Sequence, residues 1–134
     1  MSQQNVEIVR RAYEAWNRGD LESAFDLVHP EVEVSLPRDF PEAGTYRGRA
    51  EVRRWFTDEV LPAFEGLQAL PQRFVDAGDR VVVFIRYSGR GTASGIEVRG
   101  VGADAHVVTL RDGKLASLVM YQGTEEALGA VGLG

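Results

Sequence analysis

The sequence contains no cysteine, only two histidines and no long uninterrupted apolar run. The first absence excludes a disulfide framework and any thiolate metal site. It leaves the redox compartment open, because a cysteine-free chain can fold anywhere. Two histidines without clustered carboxylates argue against a metal centre. No stretch approaches the length of a membrane span, and residues 1–11 are polar and charged, with no apolar core of a secretion signal. The expected location is therefore the cytoplasm, with no membrane partner. Positive charge is in deficit: 15 Lys and Arg stand against 20 Asp and Glu, a net charge of −5. An acidic domain gains nothing from counterion release on a phosphate backbone, so nucleic acid is excluded as an expected partner.

What is present is ordinary globular composition, with 44% hydrophobic and 26% charged residues, which argues against disorder. The 134 residues suit one domain, residues 1–134, able to bury roughly two-thirds of its unfolded surface. No internal repeat, linker or low-complexity segment divides it.

The strongest local signal is Asp112-Gly113, set between two apolar-rich runs. A type I′ turn needs φ > 0 at both central positions, and Asp-Gly meets that need, so residues 96–110 and 114–122 are expected to form a hairpin. Side chains two apart on a strand share a face. Asp104, His106, Val108 and Leu110 therefore share one, and Met120 and Gln122 share another beside His106.

Upstream, Val6, Val9, Tyr13 and Trp16 recur at helical spacing over residues 5–18, with Ser2 or Asn5 as a cap. Gly19 ends that helix and Asp20 caps a second, expected to stop at His29-Pro30. Residues 31–36 alternate as a half-buried strand with Val32, Val34 and Leu36 inward, followed by a loop over 37–46. Residues 48–64 read as a third helix with Val52, Trp55, Phe56 and Val60 on its apolar face and Pro62 bending its last turn. Arg53, Arg54, Asp58 and Glu59 read as its solvated face. Strands are expected over 67–75, bulged near Pro71, and over 80–88, with a turn at 77–79. Gly89 to Gly95 resembles a phosphate loop in composition, but a strand pattern follows it where a helix would be required. Thr124 is expected to cap a terminal helix reaching Val131. The order ααβαββββ with a short C-terminal helix is an α+β layout. Helices closing a curled, mostly antiparallel sheet leave a cone, and an apolar cone with few polar groups is a ligand pocket.

The residues Tyr-Glu-Ala-Trp-Asn-Arg-Gly-Asp (13–20), His-Pro-Glu-Val-Glu (29–33), Tyr-Arg-Gly-Arg-Ala-Glu-Val-Arg-Arg-Trp-Phe (46–56), His-Val-Val-Thr-Leu-Arg-Asp-Gly-Lys (106–114) and the tail 125–133 carry a resemblance over nearly the whole chain. The chain resembles the SnoaL-like branch of the nuclear-transport-factor-2-like superfamily, which also includes ketosteroid isomerases, scytalone dehydratases and limonene epoxide hydrolases. That resemblance implies an NTF2-like cone, a pocket for a small apolar molecule, no cofactor, and a homodimer formed through the outer sheet face, where Val107 and Val119 lie. It does not imply one activity, because the superfamily mixes enzymes with binders.

Carried over position by position, the general-base aspartate of ketosteroid isomerases falls at Leu36, which cannot take a proton. Their helix-1 oxyanion tyrosine falls at Ala12, one residue from Tyr13, and their protonated oxyanion aspartate falls at His106. Limonene epoxide hydrolases need an Asp-Arg-Asp set, and residues 118–121 supply no matching acid. Both activities are disfavoured.

His106 is the candidate acid–base group, able to pass protons near neutral pH, with Asp104 on the same face to hold one ring nitrogen. Its bland alternative is a pocket histidine that merely hydrogen-bonds a helix side chain or a water. Tyr13, Trp16, Leu36, Phe56, Tyr87, Met120 and Gln122 are the expected pocket wall, although inward aromatics are ordinarily core. His29, beside a proline, reads as a surface or capping residue. Three functions follow: a cofactor-independent isomerase or cyclase acting on an apolar carbonyl or polyketide-like substrate, a non-catalytic binder of an apolar molecule, or a dimerisation module with a filled core.

Overall fold

The computed structural model describes residues 2–36, 44–93, 95 and 105–133. Helix α1 (Ser2–Asn17) buries Val9, Ala12, Tyr13 and Ala15; of the predicted stripe Val9 and Tyr13 are buried, while Val6 and Trp16 are half-buried against the same core. It starts at Ser2, and Asn5 lies inside it, donating from its amide to Gly78 O at 3.0 Å. At its end Gly19 takes φ +78°, and the amides of Gly19 and Asp20 return to Trp16 O and Ala15 O. This is the Schellman pair that a left-handed residue makes possible. The Asp20 carboxylate then accepts from Ser23 N at 3.2 Å and caps α2 (Leu21–Asp26).

Strand β1 (Val28–Ser35) starts earlier than expected. His29-Pro30 does not stop α2, which already ends at Asp26. The pair lies inside β1, where the register shifts between Val28 and Glu33. A proline cannot donate to a ladder, so an irregular stretch is where a strand can hold one. Strand β2 (Thr45–Arg47) was not expected. It pairs with Glu33 to Ser35 and is too short to show a period of its own. The rest of the predicted loop, residues 37–43, lies outside the described residues.

The third helix is broken into α3 (Arg49–Trp55), a π turn (Phe56–Val60) and α4 (Leu61–Ala63). Pro62 lacks an N–H and its ring crowds the carbonyl four residues back. The ladder widens just before it, with Leu61 N bonded to Phe56 O, which is the i→i−5 step of a π turn.

The remaining strands are β3 (Phe64–Ala77), β4 (Arg80–Gly91), β5 (Ala105–Arg111) and β6 (Lys114–Tyr121). Residues 96–104 of the long strand expected before the hairpin lie outside the described residues, apart from which β5 follows the prediction. At the hairpin Asp112 has φ +55° and Gly113 φ +73°, the two positive values a type I′ turn demands. The sheet order is β2-β1-β6-β5-β4-β3, an open mixed sheet in which β1 and β6 run parallel and all other pairs antiparallel. Register shifts at Pro71/Arg73 and Glu65/Gln68 on β3, and at Thr109/Leu110 between β5 and β6, add the bends that curl such a sheet.

Helix α1 is tied to the β3 edge by Asn17. Its amide donates to Ala69 O at 2.8 Å and accepts from Ala69 N at 3.0 Å, completing the edge strand's backbone as a neighbouring strand would. The inner face of the sheet buries Val81, Val83, Ile85, Val108 and Leu110 against Val9 and Tyr13. The outer face is covered in part by α5 (Thr124–Ala130), whose Ala127 packs with Val82, Ala105 and Val107. Val107 is therefore buried, not exposed as its outer position suggested. The cap residue of α5 is Gly123, without a side-chain bond, and Thr124 is the first helical residue.

Candidate functional site

Between the helices and the inner face of the sheet lies a cavity of about 460 Å³. Its floor and walls come from α1 (Ala12, Tyr13, Trp16), α2 (Leu21, Phe25), β1 (Val32, Val34), the helical run 52–63, β4 (Tyr87) and β6 (Leu118, Met120). Almost every lining atom is carbon. The lining residues that carry a polar side-chain atom are Tyr13, Trp16, Trp55, Glu59 and Tyr87, and no Lys or Arg lines it among the described residues. Tyr13 is buried and marks the inner end, while Glu59 and Ala63 are exposed and mark the mouth.

His106 projects to the inner side of β5, paired with Val83 on β4 and Met120 on β6. It is fully buried and does not reach the cavity surface. It stands behind the wall, held between two tyrosines that do. Its Nδ1 lies 2.5 Å from the Tyr13 hydroxyl and its Nε2 lies 2.7 Å from the Tyr87 hydroxyl. The Tyr13 ring lies near-parallel to the imidazole, with centroids 5.9 Å apart.

The protonation logic is simple. Burial pushes the His106 pKa down to about 3, so the ring is neutral at physiological pH, with one N–H and one bare nitrogen. Burial, with Tyr87 adding to it, also raises the Tyr13 hydroxyl well above its ordinary value. One tyrosine must therefore donate to the ring and the other must accept from it. Either Tyr13 O–H donates to Nδ1 while Nε2–H donates to Tyr87, or all the directions reverse. The two states differ in which ring nitrogen carries the proton, and in each the tyrosine that accepts from the ring keeps its own O–H for another acceptor.

Of the expected wall, Tyr13, Trp16, Leu36, Phe56, Tyr87 and Met120 line the cavity. Gln122 does not: β6 ends at Tyr121, the two-residue alternation ends with it, and Gln122 is exposed at the turn into α5. Asp104 lies outside the described residues, and the ring nitrogen assigned to it is taken by a tyrosine. His29 is peripheral, with Arg111 Nη2 3.3 Å from its ring nitrogens and the Asp112 carboxylate 4.0 Å away. Glu59 was missed. It sits three residues after Phe56 and seven after Val52, the spacing of the apolar stripe, which brings it to the rim. Among the described residues no three His, Asp or Glu side chains gather to hold a metal ion, and no helix is long and apolar enough to cross a membrane.

The fold has counterparts. A family model, the SnoaL-like domain, matches residues 9–118. TerC, crystallised with polyporic acid, is 26% identical; the alignment covers 96% of this chain and 98% of that one, with a TM-score of 0.75. A putative polyketide cyclase from Sinorhizobium meliloti is 22% identical over 85% of this chain and 93% of its own, with a TM-score of 0.66. A protein of ketosteroid isomerase-like fold from Catenulispora acidiphila, in complex with trimethylamine, is 20% identical over 96% of this chain and 94% of its own, with a TM-score of 0.73. The last two likenesses are of fold alone. A search of curated protein sequences gives no match. With the model spanning most of the chain and the fold shared throughout, the chain belongs to the SnoaL-like domain family, on the NTF2-like fold.

Proposed function

We propose that this protein takes up an apolar small molecule bearing a carbonyl or similar oxygen, of polyketide-like character, and carries out proton-transfer chemistry of the isomerase or cyclase type without a cofactor. The observation that carries the reading is the Tyr13–His106–Tyr87 chain at the wall of an otherwise apolar cavity of about 460 Å³. A hydroxyl donor in a water-poor site stabilises charge that develops on a substrate oxygen. In this reading the tyrosine whose O–H is not given to the ring donates it to the substrate oxygen. His106 acts through the tyrosines: the one that accepts its N–H is left with its own O–H for the substrate oxygen. Trp16, Leu36, Phe56 and Met120 supply shape. The co-crystallisation of TerC with polyporic acid supports a small organic ligand.

A non-catalytic binder is the second reading, favoured by the position of His106 behind the wall. A filled dimerisation module fits poorly with so large a cavity. Pairing through the outer sheet face remains part of the proposal, restricted by α5 to the part around β6 and β1. A cytoplasmic location is likewise proposed.

The test compares a bicyclic ketone with its hydrocarbon analogue, tetralone against tetralin, by titration. The ketone is expected to bind more tightly than the hydrocarbon. Tyr13→Phe and Tyr87→Phe should each reduce that advantage by about tenfold, the worth of one hydrogen bond of ~1.4 kcal/mol. Equal affinity for the two probes, unmoved by the tyrosine variants, would remove the oxygen site.

A further inference from the structure

Phe64 and Leu67 of β3 both line the cavity, although they stand three residues apart. On an unbroken strand, side chains at that spacing point to opposite faces. The ladder with β4 shows what brings them to one face. Glu65 pairs with Arg90 and Gln68 with Ser88, so Gly66 and Leu67 together stand opposite the single residue Gly89. Two residues against one make a β-bulge, and Gly66, at φ +61°, is the left-handed first residue of its glycine form. Leu67 shares the face of buried Ala69, and the extra residue returns Phe64, opposite Gly91, to that face.

The facing strand is bare at this level. By alternation the inward positions of β4 are Val81, Val83, Ile85, Tyr87, Gly89 and Gly91, large in the core and glycine beyond Tyr87. A Cβ on Gly89 would lie 3.0 Å from Leu67 Cα and 3.3 Å from Glu65 O and Leu67 N. All three are backbone atoms, so no rotamer change relieves the contact, and only a glycine at 89 admits the bulge. Farther out, Thr92 N donates to Ala63 O at 2.9 Å and ties the end of β4 to α4 at the mouth. A bulge bends its strand. Here the bent end carries Leu67 and Phe64 along the cavity from Tyr87 toward exposed Ala63.

Resting on the reading that the cavity takes an apolar molecule held by its oxygen, we propose that the Gly66–Leu67 bulge, seated on Gly89, is a specificity determinant: it extends the apolar wall outward past Tyr87 and sets the length of chain the site binds. A ligand with its oxygen at the tyrosines runs its carbon skeleton outward past Leu67 and then Phe64. Methylenes along that wall leave water, and those beyond it do not. Deleting Gly66 restores one-to-one pairing, with Leu67 opposite Gly89, and keeps each neighbouring side chain on its present face. What it removes is the bend.

Methyl ketones from 2-heptanone to 2-undecanone, with the oxygen near one end, serve as probes, their binding followed by tryptophan emission. In the wild type affinity should rise by up to about fourfold per methylene until the tail passes Phe64. The Gly66 deletion should bind 2-heptanone within about twofold of the wild type and 2-undecanone about tenfold more weakly. Leu67→Ala, which leaves the backbone alone, should show the same selective loss by about threefold, and it decides the matter by itself if the deletion variant does not fold. A rise with length parallel to the wild type in the folded deletion variant or in Leu67→Ala overturns the bulge as the length-setting element and leaves the pocket reading standing. An equal loss for short and long ketones does the same. Failure of the wild type to bind any of the ketones overturns both.

Discussion

Tyr13 on the first helix and His106 on the fifth strand, 93 residues apart in the chain, share a buried hydrogen bond of 2.5 Å. The bond joins the helical layer to the sheet at His106, the one buried polar or charged residue of the core among the described residues. Tyr13→Phe would leave a ring nitrogen of His106 buried without that partner, at a cost of about 1–3 kcal/mol. Adding His106→Phe to that variant should cost less than it does in the wild type, since the orphaned group is then gone. A double-mutant cycle in urea should give a coupling of about 0.5–3 kcal/mol; strictly additive energies would show that the contact contributes nothing of its own.

Acid should weaken the fold through the same histidine. Its folded pKa lies near 3 against 6.5 for the free side chain. Between those values the unfolded chain binds a proton that the native state refuses, so stability rises with pH across the window and is lost as pH falls from about 6.5 toward 3. The slope from this one group is at most about 1.4 kcal/mol per pH unit. His106→Gln should flatten the dependence of the urea midpoint on pH in that window. An unchanged slope would place the acid sensitivity elsewhere.

Both tryptophans of the chain, Trp16 and Trp55, line the cavity. Any ligand that fills it must change their surroundings, so binding of an apolar ketone should shift or quench intrinsic emission without a label. Trp16 meets Phe56 edge to face at 5.1 Å, and Trp55 stacks on Tyr46 at 4.8 Å. Trp16→Phe and Trp55→Phe should each retain part of the signal. A signal carried wholly by one of them would show that the ligand occupies only one side of the space.

The hairpin offers a test of backbone strain. Gly113 has φ +73° with open space around the position of a Cβ, so Gly113→Val would act through conformation alone. The expected loss is about 1–2 kcal/mol. Asp112→Gly should be close to neutral, because Asp112 already bears a positive φ of 55°. Thermal unfolding of the two variants reads this directly, and equal losses would contradict the assigned turn.

That hairpin shows which features a linear reading can reach. Asp112-Gly113 needs only local chemistry, and so does the Gly19-Asp20 junction between two helices; both are legible in neighbouring residues. The inward position of His106 follows from strand parity counted from the turn. Its partners do not, because Tyr13 and Tyr87 reach it only when a helix and a strand from other parts of the chain converge. His29-Pro30 misled because a proline signals the end of a helix more often than a bulged strand. Glu59 is exposed, as its charge suggested, and only the assembled structure shows that it also borders the cavity. Val107 was judged outward by parity, correctly, but parity does not show that α5 folds over that face.

The parallel pairing of β1 with β6 has a consequence for how the molecule comes into being. Val34 reaches its neighbour Leu118 only after nearly the whole chain has been made, and both residues line the cavity. Antiparallel hairpins such as β3–β4 can close locally, whereas this seam joins the two ends of the sequence and carries the slow loop-closure cost of distant contacts. During synthesis the apolar walls must wait, unsealed, for the final strand. The interval before β6 docks is when the nascent chain is most exposed to aggregation.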